Sequence, residues 1–261
     1  MVFDVSKLRT SSKDKMRKLK FPEKLTLELA EDIGIMVGDG HIGSFHKGGA
    51  NNTIEVAGNM VTDKLYHSNH ISGLKQRLFG LPCYFSLRPE IHTCKLRIYS
   101  KGIVEFYSRI ILLPTGKKKE IHVPKIIMES NNEIKKAFLR GLGDTDFTFS
   151  FKKRHKSFLY YPSIKLGTES KNLIMDCKSI LEDVGFKPVT ACDMVVIHTK
   201  TKKPFTTHQL FLYGKENYEK WVREIGFSNP KNWLKYRLWK ENGFCPPNAE
   251  IEKMMSEPGG I

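Results

Sequence analysis

The sequence predicts an α+β protein of two pseudo-symmetric halves, each running αββαββα with a four-stranded antiparallel sheet. Three observations predict it. First, a glycine-bearing apolar helix that ends in an acid, Leu27 to Asp39, occurs again as Phe138 to Asp146. Second, the punctuation repeats: Asp39 and Asp146 are 107 residues apart, Gly80-x-Pro82 and Gly185-x-x-Pro188 are 105 apart, and Tyr99-Ser100-Lys101 and Tyr213-Gly214-Lys215 are 114 apart. Third, paired strand-like runs alternate apolar with polar residues, and their polar side carries Ser44, His46, Glu55, Arg88, Arg97, Ser150, Lys152, Lys165 and Gln209. A sheet with one face on helices and the other open has that alternation.

In the first helix, Leu29, Ile33 and Met36/Val37 share a face at helical spacing, with Thr26 available as N-cap. Gly34 and Gly38 leave a bare strip along it, and Gly40 can take the positive φ of a helix end. Strand-like runs His41 to Lys47 and Asn52 to Ala57 follow, joined through Gly48-Gly49. An amphipathic helix from Thr62 to Phe79 is stopped by Gly80 and Pro82. Strands at Cys83 to Arg88 and Cys94 to Tyr99, then a helix from Lys101 to Leu112, complete residues 25–116. Residues 117–129 link the halves.

The second half, residues 130–241, opens on Ser130-Asn131-Asn132-Glu133, which has the form of a capping box with Ser130 at N-cap. Strands at Thr148 to Arg154 and Tyr160 to Gly167, a helix from Lys171 to Val184, strands near Cys192 to Thr199 and Thr206 to Tyr213, and a helix from Glu216 to Ile225 repeat the order. One more helix is expected from Asn229 to Trp239. Residues 1–24, rich in lysine and arginine, read as a frayed basic tail or a phosphate-touching arm, and residues 242–261 as a loose tail.

A formal charge of +15 points to a polyanionic partner, nucleic acid before a membrane surface. No apolar run is long enough to span a bilayer and no targeting signal is recognisable, so a cytoplasmic or organellar location is expected. Five cysteines without a CxxC pair speak against a disulfide frame or zinc site. Gly38-Asp39-Gly40-His41-Ile42-Gly43 fits the dinucleotide fingerprint in letters, but a helix precedes it and a strand follows, the reverse of what that fingerprint needs. His67-x-x-His70 lacks a third ligand nearby and is read as structural.

If the two glycine-bearing helices pack along their bare strips, Asp39 and Asp146 meet near the pseudo-twofold axis. Carboxylates held close repel unless a cation sits between them. Oxygen ligands favour Mg²⁺, with Mn²⁺ or Ca²⁺ as substitutes in the same site. In-line attack of an activated water on phosphorus, with metal stabilising the leaving oxygen, is the chemistry such a site supports.

The two stretches resemble the paired motifs of the LAGLIDADG homing endonucleases in their single-chain, two-motif form. Leu139-Arg140-Gly141-Leu142-Gly143-Asp144-Thr145-Asp146 follows the family pattern until its last position, where Phe147 replaces the usual glycine. In the first copy Asp39 and Gly40 match, while Val37 occupies the earlier aspartate position. The resemblance implies a DNA-binding saddle of two sheets and site-specific double-strand cleavage. It implies Asp39 and Asp146 as catalytic metal ligands, with Gly38 and Thr145 beside them, and Lys119 and Lys231 as basic helpers, Lys101 with Lys215 being the rival pair. The DNA-reading set it implies is Ser44, His46, Glu55, Arg88, Lys95, Arg97, Ser150, Lys152, Arg154, Lys165, His198, Lys200 and Gln209. The expected partner is double-stranded DNA with a long asymmetric site, bound by a monomer with no membrane role. An RNA maturase acting on intron RNA, or a cleavage-deficient DNA-binding protein of the same fold, are the alternative readings.

Overall fold

The computed structural model describes residues 2–43, 52–199 and 201–257. The expected hairpin turn at Gly48-Gly49, together with Ser44, His46 and Lys200, lies outside the described residues.

After a short helix α1 (Ser12–Met16), the first half runs α2 (Leu27–Val37), β1 (Gly40–Ile42), β2 (Thr53–Asn59), α3 (Ser72–Phe79), β3 (Tyr84–Arg88), β4 (Thr93–Tyr99) and α4 (Lys101–Glu105). A short α5 (Lys125–Met128) occupies the link. The second half repeats the order with α6 (Asn132–Asp146), β5 (Phe147–Lys152), β6 (Tyr161–Thr168), α7 (Lys171–Asp183), β7 (Val189–Ile197), β8 (Pro204–Tyr213) and α8 (Gly214–Glu224), followed by α9 (Pro230–Asn242) and α10 (Asn248–Ser256). The sheets have matching antiparallel orders, β1-β2-β4-β3 and β5-β6-β8-β7.

Thr26 caps α2 as expected, its hydroxyl accepting from the Leu29 N–H at 3.2 Å. At α6 the cap lies one residue later than expected. The Ser130 hydroxyl is committed to the Ile127 carbonyl at 2.7 Å, closing α5, and the Asn131 side chain accepts from Ile134 N–H at 3.0 Å. α2 and α6 pack backbone to backbone: a Cβ on Gly34 would lie 2.7 Å from the Leu142 nitrogen, and one on Gly141 2.9 Å from the Glu31 carbonyl carbon. The bare strip along α2 is thus filled by the main chain of α6, and larger residues would force the pair apart. Flanking this contact, Leu29, Ile33, Phe138, Leu139 and Leu142 are fully buried.

Several elements depart from expectation. The long helix of the first half begins with a π-helical stretch, Tyr66–Ile71, before α3, and α4 passes into another at Phe106–Ile110. Both terminal segments are packed. Phe3 meets Phe106 edge-on with ring centroids 5.8 Å apart, and buried Asp14 receives the Gly102 N–H at 3.2 Å and pairs with Arg17 at 3.0 Å. α10 buries Ile251. The dense basic residues of residues 1–24 masked the few apolar anchors that hold them down.

Candidate active site and nucleic-acid interface

Asp39 and Asp146 each stand between a motif helix and the first strand of a sheet. β1 and β5 are edge strands of their sheets, and each acid directly precedes one of them. A Cβ on Gly38 would lie 3.4 Å from the Asp146 carboxyl carbon and would collide with the Thr145 side chain, which places the two helix ends in contact. The helix-end turn does not use the positive φ expected of Gly40. Gly40 is required by space instead: a Cβ there would lie 2.6 Å from the Met36 carbonyl oxygen and 2.8 Å from its sulfur. The matching Phe147 is extended (φ −80°, ψ 137°) and buries its ring against Trp221, so the missing glycine costs the second turn nothing.

Both carboxyls titrate high. Burial, reinforced by Asp146 and Asp63 and opposed by Lys231 and Lys118, pushes Asp39 up to about 8. Burial pushes Asp146 up to about 6 against the pull of Lys118. Two recessed acids resisting ionisation this way create a demand for positive charge between them.

Lys118, not Lys119, meets part of that demand. Its ammonium donates to the carbonyl oxygens of Val37 at 2.9 Å and Met36 at 3.3 Å, and to that of Gly38. Burial lowers its pKa, while Asp146 and Asp39 pull it back up. Lys119 is exposed. In a run of three lysines sequence spacing could not choose among them; the choice depends on which one turns inward. Lys231 pairs with Asp63 at 2.7 Å. Lys101 and Lys215 line separate surface hollows, one with Tyr99 and Ser100 and the other with Tyr160 and Tyr161. The Thr145 hydroxyl donates back to the Gly141 and Leu142 carbonyls at 3.1 Å, so it is turned away and only its main-chain oxygen could face a cation.

Three residues were missed as parts of this centre. Asp63 accepts from Asn229 Nδ2 and Lys231 Nζ, both at 2.7 Å, and from the Asn59 N–H at 2.9 Å, interactions that outweigh burial and hold its carboxyl below the ordinary value. Asp144 accepts from the Asn229 N–H at 3.0 Å, the Ser228 N–H at 2.5 Å and Asn232 Nδ2 at 2.8 Å, which fixes the turn that delivers Lys231. Glu31 ties the halves together, bonding Arg140 at 2.6 Å, His70 at 2.7 Å and Ser228 at 2.6 Å. Only Asp144 carried a sequence signal, its place in the second motif. The others meet their partners in the opposite half across 109 to 197 residues. His67 and His70 diverge, Nδ1 of the first meeting the Asp63 carbonyl at 2.9 Å and Nε2 of the second meeting Glu31. Among the described residues, no three His, Cys, Asp or Glu side chains form a metal cage.

Register and burial assign the open faces. On the first sheet, buried Ile54, Val56, Cys94, Leu96 and Ile98 leave Glu55, Arg88, Lys95 and Arg97 on the other side, as expected. Glu55 is shared by Lys95 at 2.6 Å and Arg97 at 2.5 Å. On the second, Ser150, Lys152, Lys165 and Gln209 share the open face, where Lys152 lies 4.9 Å from the Tyr213 ring and Lys165 5.7 Å from the Phe211 ring. Arg154 falls beyond the end of β5, stacked 3.8 Å over Tyr161, and His198 lies in the exposed turn after β7. Tyr99, Tyr161, Phe211 and Tyr213 also occupy these faces; they were overlooked because aromatic residues in a strand read as core.

Residues 133–226 match the family model of the LAGLIDADG-like domain. No curated protein matches the chain. Among solved structures, the homing endonuclease I-DmoI in complex with DNA and Ca has a TM-score of 0.54 at 16% identity, covering 82% of this chain and 100% of that one. The I-DmoI complex with DNA and Mn has a TM-score of 0.51 at 16% identity, covering 78% and 98%. A mesophilic variant of I-DmoI gives 0.52 at 15%, covering 78% and 91%. No helix among the described residues is long and apolar enough to cross a membrane. The family model thus covers the second repeat, and the two-repeat fold is shared with the I-DmoI structures.

Proposed function

We propose that the chain is a site-specific double-strand DNA endonuclease that uses divalent metal, acting as a monomer because one chain supplies both half-sites. The observation that carries this is the meeting of Asp39 and Asp146 at paired helix ends between two open, basic sheet faces. The residues present fit a hard cation: two recessed carboxyls with raised pKa, and a Gly38 carbonyl already facing the Lys118 ammonium. Asp39 and Asp146 would hold it, with main-chain oxygens of Gly38 and Thr145 beside them. Mg²⁺, or Mn²⁺ or Ca²⁺ in its place, would supply charge to neutralise the phosphate and lower the pKa of water.

The rest is the work of the chain itself. Lys118 and Lys231 both bring positive charge to Asp39, and Lys118 to Asp146 as well, where a pentacoordinate phosphorus would build negative charge. Asp144 holds the turn carrying Lys231, and Asp63 holds the lysine side chain in place until substrate arrives. Lysines and arginines of the open faces fix the duplex through its phosphates while strand side chains meet base edges. The test is recovery of cleaved sites from a randomised DNA library in Mg²⁺. One enriched asymmetric sequence cut on both strands is the expected result; uniform degradation, or no cutting with any divalent metal, would rule the reading out.

A further inference from the structure

The outer ends of the two sheets differ in reach and in chemistry. In the first half, β4 is paired on both sides from Thr93 to Arg97, Thr93 facing Asn59 of β2 and Arg88 of β3, and the hairpin ends flush. Its open face there is polar, with Arg97 beside Tyr84, Lys95 beside Ser86 and Arg88 beside Thr93. In the second half β6 stops at Thr168, opposite His208. From Met194 to Ile197 and from Pro204 to Thr207, β7 and β8 pair only with each other and project as a two-stranded ribbon. A bulge at Cys192–Asp193 starts the projection. Asp193 has φ +58°, gives its N–H to His208 Nδ1 at 3.0 Å, and holds Lys171 at 2.5 Å.

Register carries the open face out along this ribbon. Phe211, Gln209, Thr207 and Phe205 are paired across the strands with Val189, Ala191, Met194 and Val196. Val196 and Phe205 remain 39% and 36% exposed, with the His198 ring 6.2 Å from that of Phe205. The ridge is continuous with the face that carries Lys152 and Lys165, and it ends at exposed Lys202 and Lys203. Apolar side chains flanked by lysines on a groove-facing strand suit one feature of duplex DNA above others: the C5 methyl of thymine, which projects into the major groove. A second protein would have to cover an apolar strip flanked by lysines on both sides, and RNA offers no such methyl.

We propose that Met194, Val196 and Phe205 form an apolar reading surface that specifies thymine at the outer end of the half-site under the second sheet. This rests on the reading of the chain as a DNA-binding endonuclease, and it makes the outer ends of the two half-sites chemically unlike, one faced by charged and polar groups and the other by apolar ones.

The test begins with selection of bound duplexes from a randomised library by the full chain in EDTA, so that cleavage plays no part. Thymines of each half are then replaced by deoxyuridine, which removes the methyl and keeps every hydrogen-bonding group. Binding should weaken by about fourfold per methyl at the outer end of the second half-site, the worth of one buried carbon, and change little in the first. Val196→Thr keeps the shape and adds a hydroxyl; together with Phe205→Ser it should erase thymine enrichment at those positions. Val195→Thr, on the opposite face and 72% exposed, should leave it intact. Equal losses in both halves, no loss in either, or variants that alter self-association in sedimentation instead of base preference would overturn the proposal. If no sequence is enriched at all, the DNA-binding reading itself falls.

Discussion

Under its sheet the first half buries an ion triad, and at the matching positions the second half buries hydrocarbon. Asp32, Lys75 and Tyr107 are fully enclosed, with Lys75 2.6 Å from Asp32 and 2.7 Å from the Tyr107 hydroxyl, which in turn donates to Asp32. The repeat offsets of 107, 105 and 114 residues carry these positions to Leu139, Ile180 and Trp221, all fully buried. Trp221 fits because Gly143 leaves room; a Cβ there would lie 2.7 Å from the indole, where the first half has Met36. One topology therefore tolerates either a buried polar network or an aromatic cluster at the same positions. The helix ends show the same divergence. Asp144 fixes the turn that carries Lys231, whereas Val37 at the matching position cannot, and Lys118 is held by its own bonds to helix-end carbonyls.

The largest effects should come from breaking either core. Trp221→Ala should cost about 3–5 kcal/mol of stability through the cavity it leaves. Lys75→Met should cost a similar amount, about 3–5 kcal/mol, because Asp32 is left as an unpaired buried charge. Asp32→Leu with Lys75→Met should recover most of that loss, because the half then resembles its partner. Urea denaturation reads all three; a double variant no more stable than the single would show that the triad is not interchangeable with an apolar core.

Next is the acid that joins the halves. Burial would push Glu31 up, but His70, Arg140 and Ser228 together bring it down to about 2. Its pKa is lower in the folded than in the unfolded chain. Its contribution, on the order of 3 kcal/mol, is therefore full above about pH 4.5 and lost as pH falls toward 2. Glu31→Gln should flatten the acid limb of the stability profile. An unchanged limb would remove Glu31 as the acid-labile tie.

On activity, Lys118→Met and Lys231→Met should each slow cleavage by about 10²-fold, the usual worth of one positioned charge at a transition state, while Lys119→Met should not. Single-turnover cleavage with both strand ends labelled would show whether the two lysines serve different strands. A slow Lys119→Met with a normal Lys118→Met would reverse the assignment. The smallest effect concerns metal affinity. Asp39 and Asp146 must lose protons to hold a cation, and they titrate near 8 and 6. Mn²⁺ affinity should therefore rise by about tenfold per pH unit approaching 8, with proton release; a flat profile in calorimetry across buffers would separate the metal from these acids.

Much of this was legible in the sequence, and the parts that were not share a cause. Thr26, the glycine strips, the two acids and the αββαββα order are written in local spacing. Asp63, Glu31 and the inward turn of Lys118 are not, because each takes its role from residues distant in the chain. Ser130 lost the cap to Asn131 because a neighbouring helix claimed its hydroxyl. Gly40 reads in the sequence as a φ requirement, whereas in the fold space is the constraint. Residues 1–24 read as a tail or a phosphate-touching arm because charge outnumbers the apolar side chains there, Phe3 among them, that anchor the segment.

The pairing of the two helix-end acids is tested most directly by Asp39→Asn and Asp146→Asn, assayed side by side for binding and cutting of a selected site in Mg²⁺. Each variant should bind within a few-fold of the parent and cut neither strand at a measurable rate. Cutting of both strands at the parent rate by either one would contradict the shared-metal centre.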